Sequence, residues 1–211
     1  MTAEINQELH QQEIEKTRVG GFGGSDAKML YKIGLNGLSA LSNTDKMRIR
    51  VAKGIDEYKP IQKTEAMQKG HDFEDWFAEA MADAIPEYIR EYRVVPESVF
   101  AINFHVFAHA DYYNIKRKCA IELKCISNID TVQDDYMAQL QWYYMLGCHR
   151  VGLMVCNSNY DNFEDGVQAP VDIKANKNYI DTLKHGVKLL DDNWDALDLK
   201  IGDEWDESDL F

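Results

Sequence analysis

Three β-rich runs, 88–95, 99–110 and 119–126, follow one another with no helical pattern between them, and this order constrains the fold more than any other feature of the chain. Each run is dense in β-branched and aromatic residues. Pro96 and the polar turn 114–118 separate them. Consecutive strands with short connections read as an antiparallel meander. Before them, 65–84 carries Phe73, Trp76, Phe77, Ala80 and Ala84 at helical spacing and stops ahead of Pro86. After them, 133–146 is helical and closed by Gly147, and 151–156 is an apolar strand. Helix, three strands, helix, strand is the order of an α/β sandwich with a mixed sheet.

Further elements flank this core. Residues 1–16 read as a polar helix or a frayed end. Gly20, Gly21, Gly23 and Gly24 make a loop, and Ser25 stands as an N-cap for an amphipathic helix over 26–33 that Gly34 would end. A basic helix is expected over 44–54, a short strand over 168–173 and a terminal helix over 178–194. The chain divides on composition into one domain, 1–190, and an acidic tail, 191–211. That tail holds nine acidic residues against the single Lys200.

No apolar run is long enough to span a membrane, and the polar N-terminus lacks the layout of a secretion signal. The four cysteines form no CxxC pair, so the expectation is reduced thiols in a cytoplasmic protein. The net charge of −13 opposes phosphate binding when taken as a total. Basic residues nevertheless gather locally, in Lys46, Arg48, Arg50, Lys53, Lys59 and Lys63 and again in Lys116, Arg117 and Lys118. Local patches decide whether a phosphate backbone is attracted.

The residue pattern with most chemical content is Asp111 followed by Ile121-Glu122-Leu123-Lys124. Alternate side chains of a strand share a face, so Glu122 and Lys124 point one way, and Ile121, Leu123 and Cys125 the other. Asp111, near the end of the preceding strand, can meet Glu122 across the hairpin. Two carboxylates with the Leu123 carbonyl form a hard oxygen site suited to Mg²⁺. Taken singly, the same residues also read as a surface ion pair on a half-buried strand. Glu74, one turn beyond Gly70, could assist a metal or be one of several solvated acids. Gln139 and Tyr143 share a helix face, whereas Gln141 lies nearly opposite Gln139, so the two glutamines cannot serve one site equally. Arg18 with Gly23-Gly24-Ser25-Asp26 makes a phosphate pocket or a plain capped loop. His109 lies on the Asp111 face of its strand, as a metal ligand or, because the oxygen donors already suit Mg²⁺, rather as a neighbour of the site or a group facing a phosphate-bearing substrate.

Arg18-x6-Ser25, Gly70-x3-Glu74, Asp111-x10-Glu122-Leu-Lys124-Cys125 and Tyr136-Met-Ala-Gln139-x-Gln141, taken in this order, resemble the phage lambda exonuclease / YqaJ viral recombinase branch of the PD-(D/E)XK nucleases. The match spans about two-thirds of the chain. Ala110 stands where the motif has proline, and Tyr112 where glycine is common. The resemblance implies a restriction-endonuclease-like three-layer α/β sandwich with an αβββαβ core and extra terminal helices. It implies Mg²⁺-dependent hydrolysis of linear double-stranded DNA, 5′ to 3′, in phage-type recombination, with Mn²⁺ able to substitute. Asp111, Glu122, the Leu123 carbonyl and Glu74 would hold metal and Lys124 would be the catalytic lysine. Gln139 and Gln141 would complete the catalytic set. Arg18 and Ser25 would hold the 5′ phosphate. The expected partners are DNA ends, a single-strand annealing protein and further copies of the chain, in the cytoplasm of a bacterial or phage-infected cell. No cysteine triplet follows the catalytic strand, which argues against an iron–sulfur cluster. Two alternatives remain open at this stage: a structure-specific or restriction-like endonuclease, and a DNA-binding module that cuts nothing.

Overall fold

The computed structural model describes residues 19–59, 62–81, 83–98, 100–128 and 132–201, with side chains from residue 136 onward in the last segment. Six α-helices and seven strands are formed among these residues. The helices are α1 (Ala27–Asn36), α2 (Asn43–Ala52), α3 (Glu65–Met81), α4 (Val132–Met145), α5 (Phe163–Gly166) and α6 (Lys177–Asp192). The strands are β1 (Gly21–Phe22), β2 (Ile89–Val94), β3 (His105–Val106), β4 (Ala108–Asn114), β5 (Cys119–Ile126), β6 (Arg150–Asn157) and β7 (Val171–Ile173).

The main sheet has the order β2-β4-β5-β6-β7. The meander β2, β4, β5 is antiparallel; the tight turn 115–118 joins β4 to β5, whereas the longer segment 95–107, which contains β3, joins β2 to β4. Helix α4 then carries the chain across one face so that β6 joins β5 in parallel, and β7 pairs antiparallel with β6. The sheet is therefore mixed, and the αβββαβ core expected from the sequence is present. Among the described residues no helix is long and apolar enough to cross a membrane.

Helices cover both faces. On one, α3 lays Phe73 and Phe77 against Tyr112, Leu123 and Cys156. On the other, α1, α4 and α6 enclose the larger core, in which Leu30, Ile33, Leu140, Trp142, Leu153, Leu183 and Leu190 are fully buried. Each such side chain contributes about 1.5–3 kcal/mol on burial. The alternation of β5 is borne out, because Leu123 packs under α3 while Glu122 turns toward α4. The Glu122 side is also the side of the larger core, which alternation alone does not reveal.

Three expectations are corrected. Helix α1 does not end at Gly34. It runs on to Asn36, and the chain turns at Gly37, whose φ is 74°. Gly34 is instead a crossing point: a Cβ there would lie 2.0 Å from the Thr182 carbonyl oxygen of α6, and one at Gly186 would lie 1.9 Å from the Leu30 oxygen. Two missing side chains let the helices touch backbone to backbone. The run 99–110 is not one strand. His105–Val106 pairs in parallel with β1, and β4 begins anew at Ala108. The boundary drawn at residue 190 falls inside the packed unit, because α6 continues to Asp192 and Trp194 and Leu199 are buried in the larger core. Trp194 meets Phe22 and Phe104 edge-on or tilted, and Asp191 accepts the backbone N–H groups of Ile102 and Asn103. Of the acidic tail, residues 202–211 lie outside the described residues, as does the N-terminal segment 1–16.

Candidate active site

Asp111 lies where both flanking ladders of the sheet lapse. The β2–β4 pairing passes from Arg90↔Tyr112 to Tyr92↔Ala110, skipping Glu91, whose φ is 54°. A positive φ at a residue with a Cβ is uncommon and marks a local re-aiming of the strand. The β4–β5 pairing runs from Asn114↔Cys119 to Tyr112↔Ile121 and goes no further. Just beyond that last pair, the Leu123 N–H donates to Asp111 Oδ2 at 2.6 Å. The sheet thus opens on a carboxylate rather than on another backbone group.

Glu122 is 2% exposed and fully engaged. Its Oε1 accepts from Lys124 Nζ at 2.5 Å and from Gln139 Nε2 at 2.6 Å. Its Oε2 accepts from the Tyr143 hydroxyl at 2.6 Å. That hydroxyl also lies 2.9 Å from the His109 carbonyl oxygen. The Lys124 ammonium sits 4.8 Å from the centre of the Tyr136 ring. Tyr136, Gln139 and Tyr143 fall on one stripe of α4, three and four residues apart, so one helix face supplies three groups to β5.

Burial and mutual repulsion dominate the electrostatics. Burial, followed by the charge of Glu122, pushes the Asp111 carboxyl well above its usual range, against the pull of Lys124 and the Leu123 N–H. Burial alone would lower Lys124, but Glu122 and Asp111 outweigh it and raise the lysine, so it stays an ammonium. Glu74, on α3, is raised by burial although His71, Lys124 and Arg90 oppose this. Its Oε2 lies 3.6 Å from His71 Nδ1. Burial, then the carboxylates, keeps Tyr143 a phenol at all ordinary pH.

The donor chemistry fits a divalent cation. Asp111, Glu122, the Leu123 carbonyl and Glu74 offer only oxygen, the preference of Mg²⁺ and Mn²⁺. Among the described residues no three His, Cys, Asp or Glu side chains converge into a metal cluster by themselves. A cation here would rest on two carboxylates and a backbone carbonyl, with Glu74 reached from the opposite helix.

Gln141 is not brought to this centre. It is fully buried on the other side of α4, where its Nε2 donates to the Lys174 carbonyl and its Oε1 accepts from the Asn176 N–H, both at 2.8 Å. Helix geometry explains this: two residues along a helix turn about 200°, more than half a turn, so Gln139 and Gln141 serve different neighbours. The 510 Å³ cavity lined by Met137, Gln141 and Asn176 lies there too, away from the carboxylates. Tyr143 is the residue whose role sequence reasoning left unassigned, although its place on the Gln139 face signalled it.

Ser25 is exposed in a short 3₁₀ turn, Gly24–Asp26. A Cβ on Gly24 would stand 3.3 Å from Gln139 Cγ, so the glycine loop rests on the helix that holds Glu122. Asp26 fixes the loop. It accepts the Gly23 N–H at 2.8 Å and pairs with Arg48 through both oxygens, while Arg48 also reaches the Gly21 carbonyl at 2.6 Å. Arg18 lies outside the described residues. His109 is exposed on β4, two residues before Asp111.

The expected basic stretches are largely consumed internally. Arg48 binds Asp26, Arg50 binds Asp56, Arg117 binds Glu87 and Lys118 binds Glu97. Lys46 donates to the Lys200 carbonyl, and Lys53 to that of Trp194. Spacing along the chain brought these cations together, but the fold supplies each with an acceptor. Lys59, Lys63 and Lys116 remain exposed.

No family model matches the chain, and no curated protein matches it either. Solved structures do. An alkaline exonuclease, LHK-Exo, from Laribacter hongkongensis aligns at a TM-score of 0.63 with 15% identity, over 88% of this chain and 93% of that one. LHK-Exo in complex with dAMP aligns at 0.64 with 16% identity over the same shares. A phage-related exonuclease from Haemophilus somnus 129PT aligns at 0.53 with 16% identity, over 81% of this chain and 92% of that one. The fold is that of these exonucleases, in agreement with the resemblance carried by the sequence motifs.

Proposed function

We propose that the chain is a divalent-metal-dependent deoxyribonuclease that hydrolyses linear double-stranded DNA from its ends, 5′ to 3′, in phage-type recombination. The observation that carries this reading is the convergence of Asp111, Glu122 and Lys124 at the opening between β4 and β5. Burying two carboxylates is costly, and the cost is reasonable where a cation is to be held. The exonuclease fold of the solved relatives supports the same reading.

Asp111, Glu122, the Leu123 carbonyl and Glu74 would hold Mg²⁺ or Mn²⁺. When bound, the cation would polarise the scissile phosphate and lower the pKa of a water. Lys124, kept protonated by its carboxylate neighbours, would stabilise charge that develops on the phosphate oxygens. Gln139 and Tyr143 hold Glu122 in one orientation, and Tyr136 covers the lysine. The glycine loop with Ser25, together with Arg18, would receive the 5′ phosphate. An annealing protein and further copies of the chain are the partners that the same reading suggests.

Incubation with Mg²⁺ and either linear or covalently closed duplex DNA tests the proposal. Linear DNA labelled at the 5′ end should lose its label first, and closed circles should persist. Chelator should stop the reaction. Cutting of closed circles would move the chain to the endonucleases, and binding without cleavage would make it a silent module.

A further inference from the structure

Six arginines lie within the described residues, and five of them face a carboxylate: Arg48, Arg50, Arg90, Arg117 and Arg150 pair with Asp26, Asp56, Asp75, Glu87 and Asp172. Arg93 differs. It is exposed on β2, has no carboxylate partner among the described residues, and holds its guanidinium 4.6 Å from the centre of the Phe107 ring. In a chain with 36 acidic and 23 basic residues, an arginine without an acid beside it is unusual.

Its surroundings are specific. Arg93 pairs in register with His109 across β2 and β4. His109 is two residues from Asp111, and its carbonyl oxygen meets the hydroxyl of Tyr143, which holds Glu122. The Phe107 ring beneath the guanidinium is also what the glycine loop packs on, since a Cβ at Gly21 or Gly23 would lie 3.0 or 3.3 Å from that ring. The cation therefore rests on the ring that the loop carrying Ser25 packs against, on the strand paired with the one that carries Asp111. A guanidinium stacked on an aromatic ring is held flat with its N–H edges turned outward, the geometry that takes two oxygens of one phosphate.

We propose that Arg93, seated on Phe107, is a binding site for a backbone phosphate of the DNA strand entering the candidate active site. This takes over the role that Lys46, Arg48 and Arg50 were expected to fill, and it rests on the reading of the chain as a DNA-binding nuclease.

The test is binding of the full chain to a linear duplex in chelator, over a series of salt concentrations. Each phosphate contact contributes a slope of about −0.9 in log K against log salt. Arg93→Gln should flatten the slope by about that amount with an unchanged melting temperature. Arg93→Lys should keep the slope and lose affinity, because the charge remains and the stacked fork does not. Lys177→Gln, which removes an exposed lysine paired with Asp181, should leave the slope as it was. In turnover assays with metal, Arg93→Gln should raise KM and spare kcat. An unchanged slope in Arg93→Gln, with wild-type DNA binding intact, overturns the Arg93 site alone. No DNA binding by the wild type overturns the nuclease reading and this site together.

Discussion

The Tyr143 hydroxyl, rising from the larger core, meets Glu122 Oε2 at 2.6 Å and so fixes the carboxylate from the side opposite Lys124. The ring is fully buried and the phenol stays protonated, so the donor cannot be replaced by water or lost to pH. Tyr143→Phe removes one oxygen and leaves the packing. Groups that orient a metal-binding carboxylate typically matter by roughly 10–100-fold in metal affinity or activity. Cleavage by this variant should fall within that range and recover in part at high Mg²⁺, and thermal unfolding should come earlier by about 1–3 kcal/mol, because the buried Glu122 Oε2 loses its donor. Full activity at wild-type Mg²⁺ dependence would show that Glu122 needs no such partner.

The two glutamines of α4 should separate function from stability. Gln139→Leu removes a donor from Glu122 at the lip of the site. Its cleavage rate should drop while its unfolding midpoint changes little. Gln141→Leu instead takes the buried amide away from the Lys174 carbonyl and the Asn176 N–H, which anchor the chain ahead of α6. Each hydrogen bond lost costs about 0.5–1.5 kcal/mol, so this variant should unfold earlier and its folded fraction should cleave normally. Denaturant curves and single-turnover rates on both proteins decide the matter. A stable but inactive Gln141→Leu would return that residue to the catalytic set.

Asp111 gives the pH dependence. Its folded pKa lies well above the ordinary aspartate value of 3.8. Such a group adds stability in full below the unfolded value and loses it as pH rises through the folded one. In metal-free protein the Asp111 contribution should therefore be lost as pH climbs from about 4 through the raised folded value. Asp111→Asn keeps an acceptor for the Leu123 N–H and removes the charge. In chelator at neutral pH it should be the more stable protein, by on the order of 1–3 kcal/mol, with the gap closing toward pH 4. Mg²⁺ should raise the melting temperature of the wild type and leave Asp111→Asn unmoved. A variant less stable than wild type at neutral pH would mean that Asp111 is not held at an electrostatic cost.

Period-2 and period-3.6 patterns made the meander, the crossing helix and the split of β5 into two faces legible, because each depends on local spacing alone. The opposition of Gln139 and Gln141 was legible for the same reason. The interruption of the sheet at Asp111 was not. It depends on Glu91, a residue with no glycine-like signal, adopting a positive φ on a neighbouring strand. Gly34 misled because a glycine that ends a helix and one that admits a neighbouring backbone look alike until Thr182 and Gly186 are brought opposite. The basic stretch misled more deeply. Charges adjacent in sequence were read as a surface, whereas Asp26 and Asp56 had already claimed two of them.

Arg48 is where that last point is open to measurement. Its side chain is 15% exposed and Asp26 is 7% exposed, so the pair is shielded from water and salt. Arg48 also reaches the Gly21 carbonyl and lies 4.9 Å from the centre of the Phe22 ring, which joins α2 to the glycine loop. Arg48→Ala would leave a carboxylate buried without its cation, a change that costs roughly 3 kcal/mol or more. A DNA-contacting arginine would behave differently, losing affinity and salt dependence at constant stability. The expected outcome is therefore a lower unfolding midpoint in Arg48→Ala, largely restored in the double variant Asp26→Asn with Arg48→Met, where neither charge remains. The slope of DNA affinity against salt should be that of the wild type in the double variant. A stable Arg48→Ala with a flattened slope would put Arg48 back on the DNA-binding surface and free Asp26 from its part in shaping the loop.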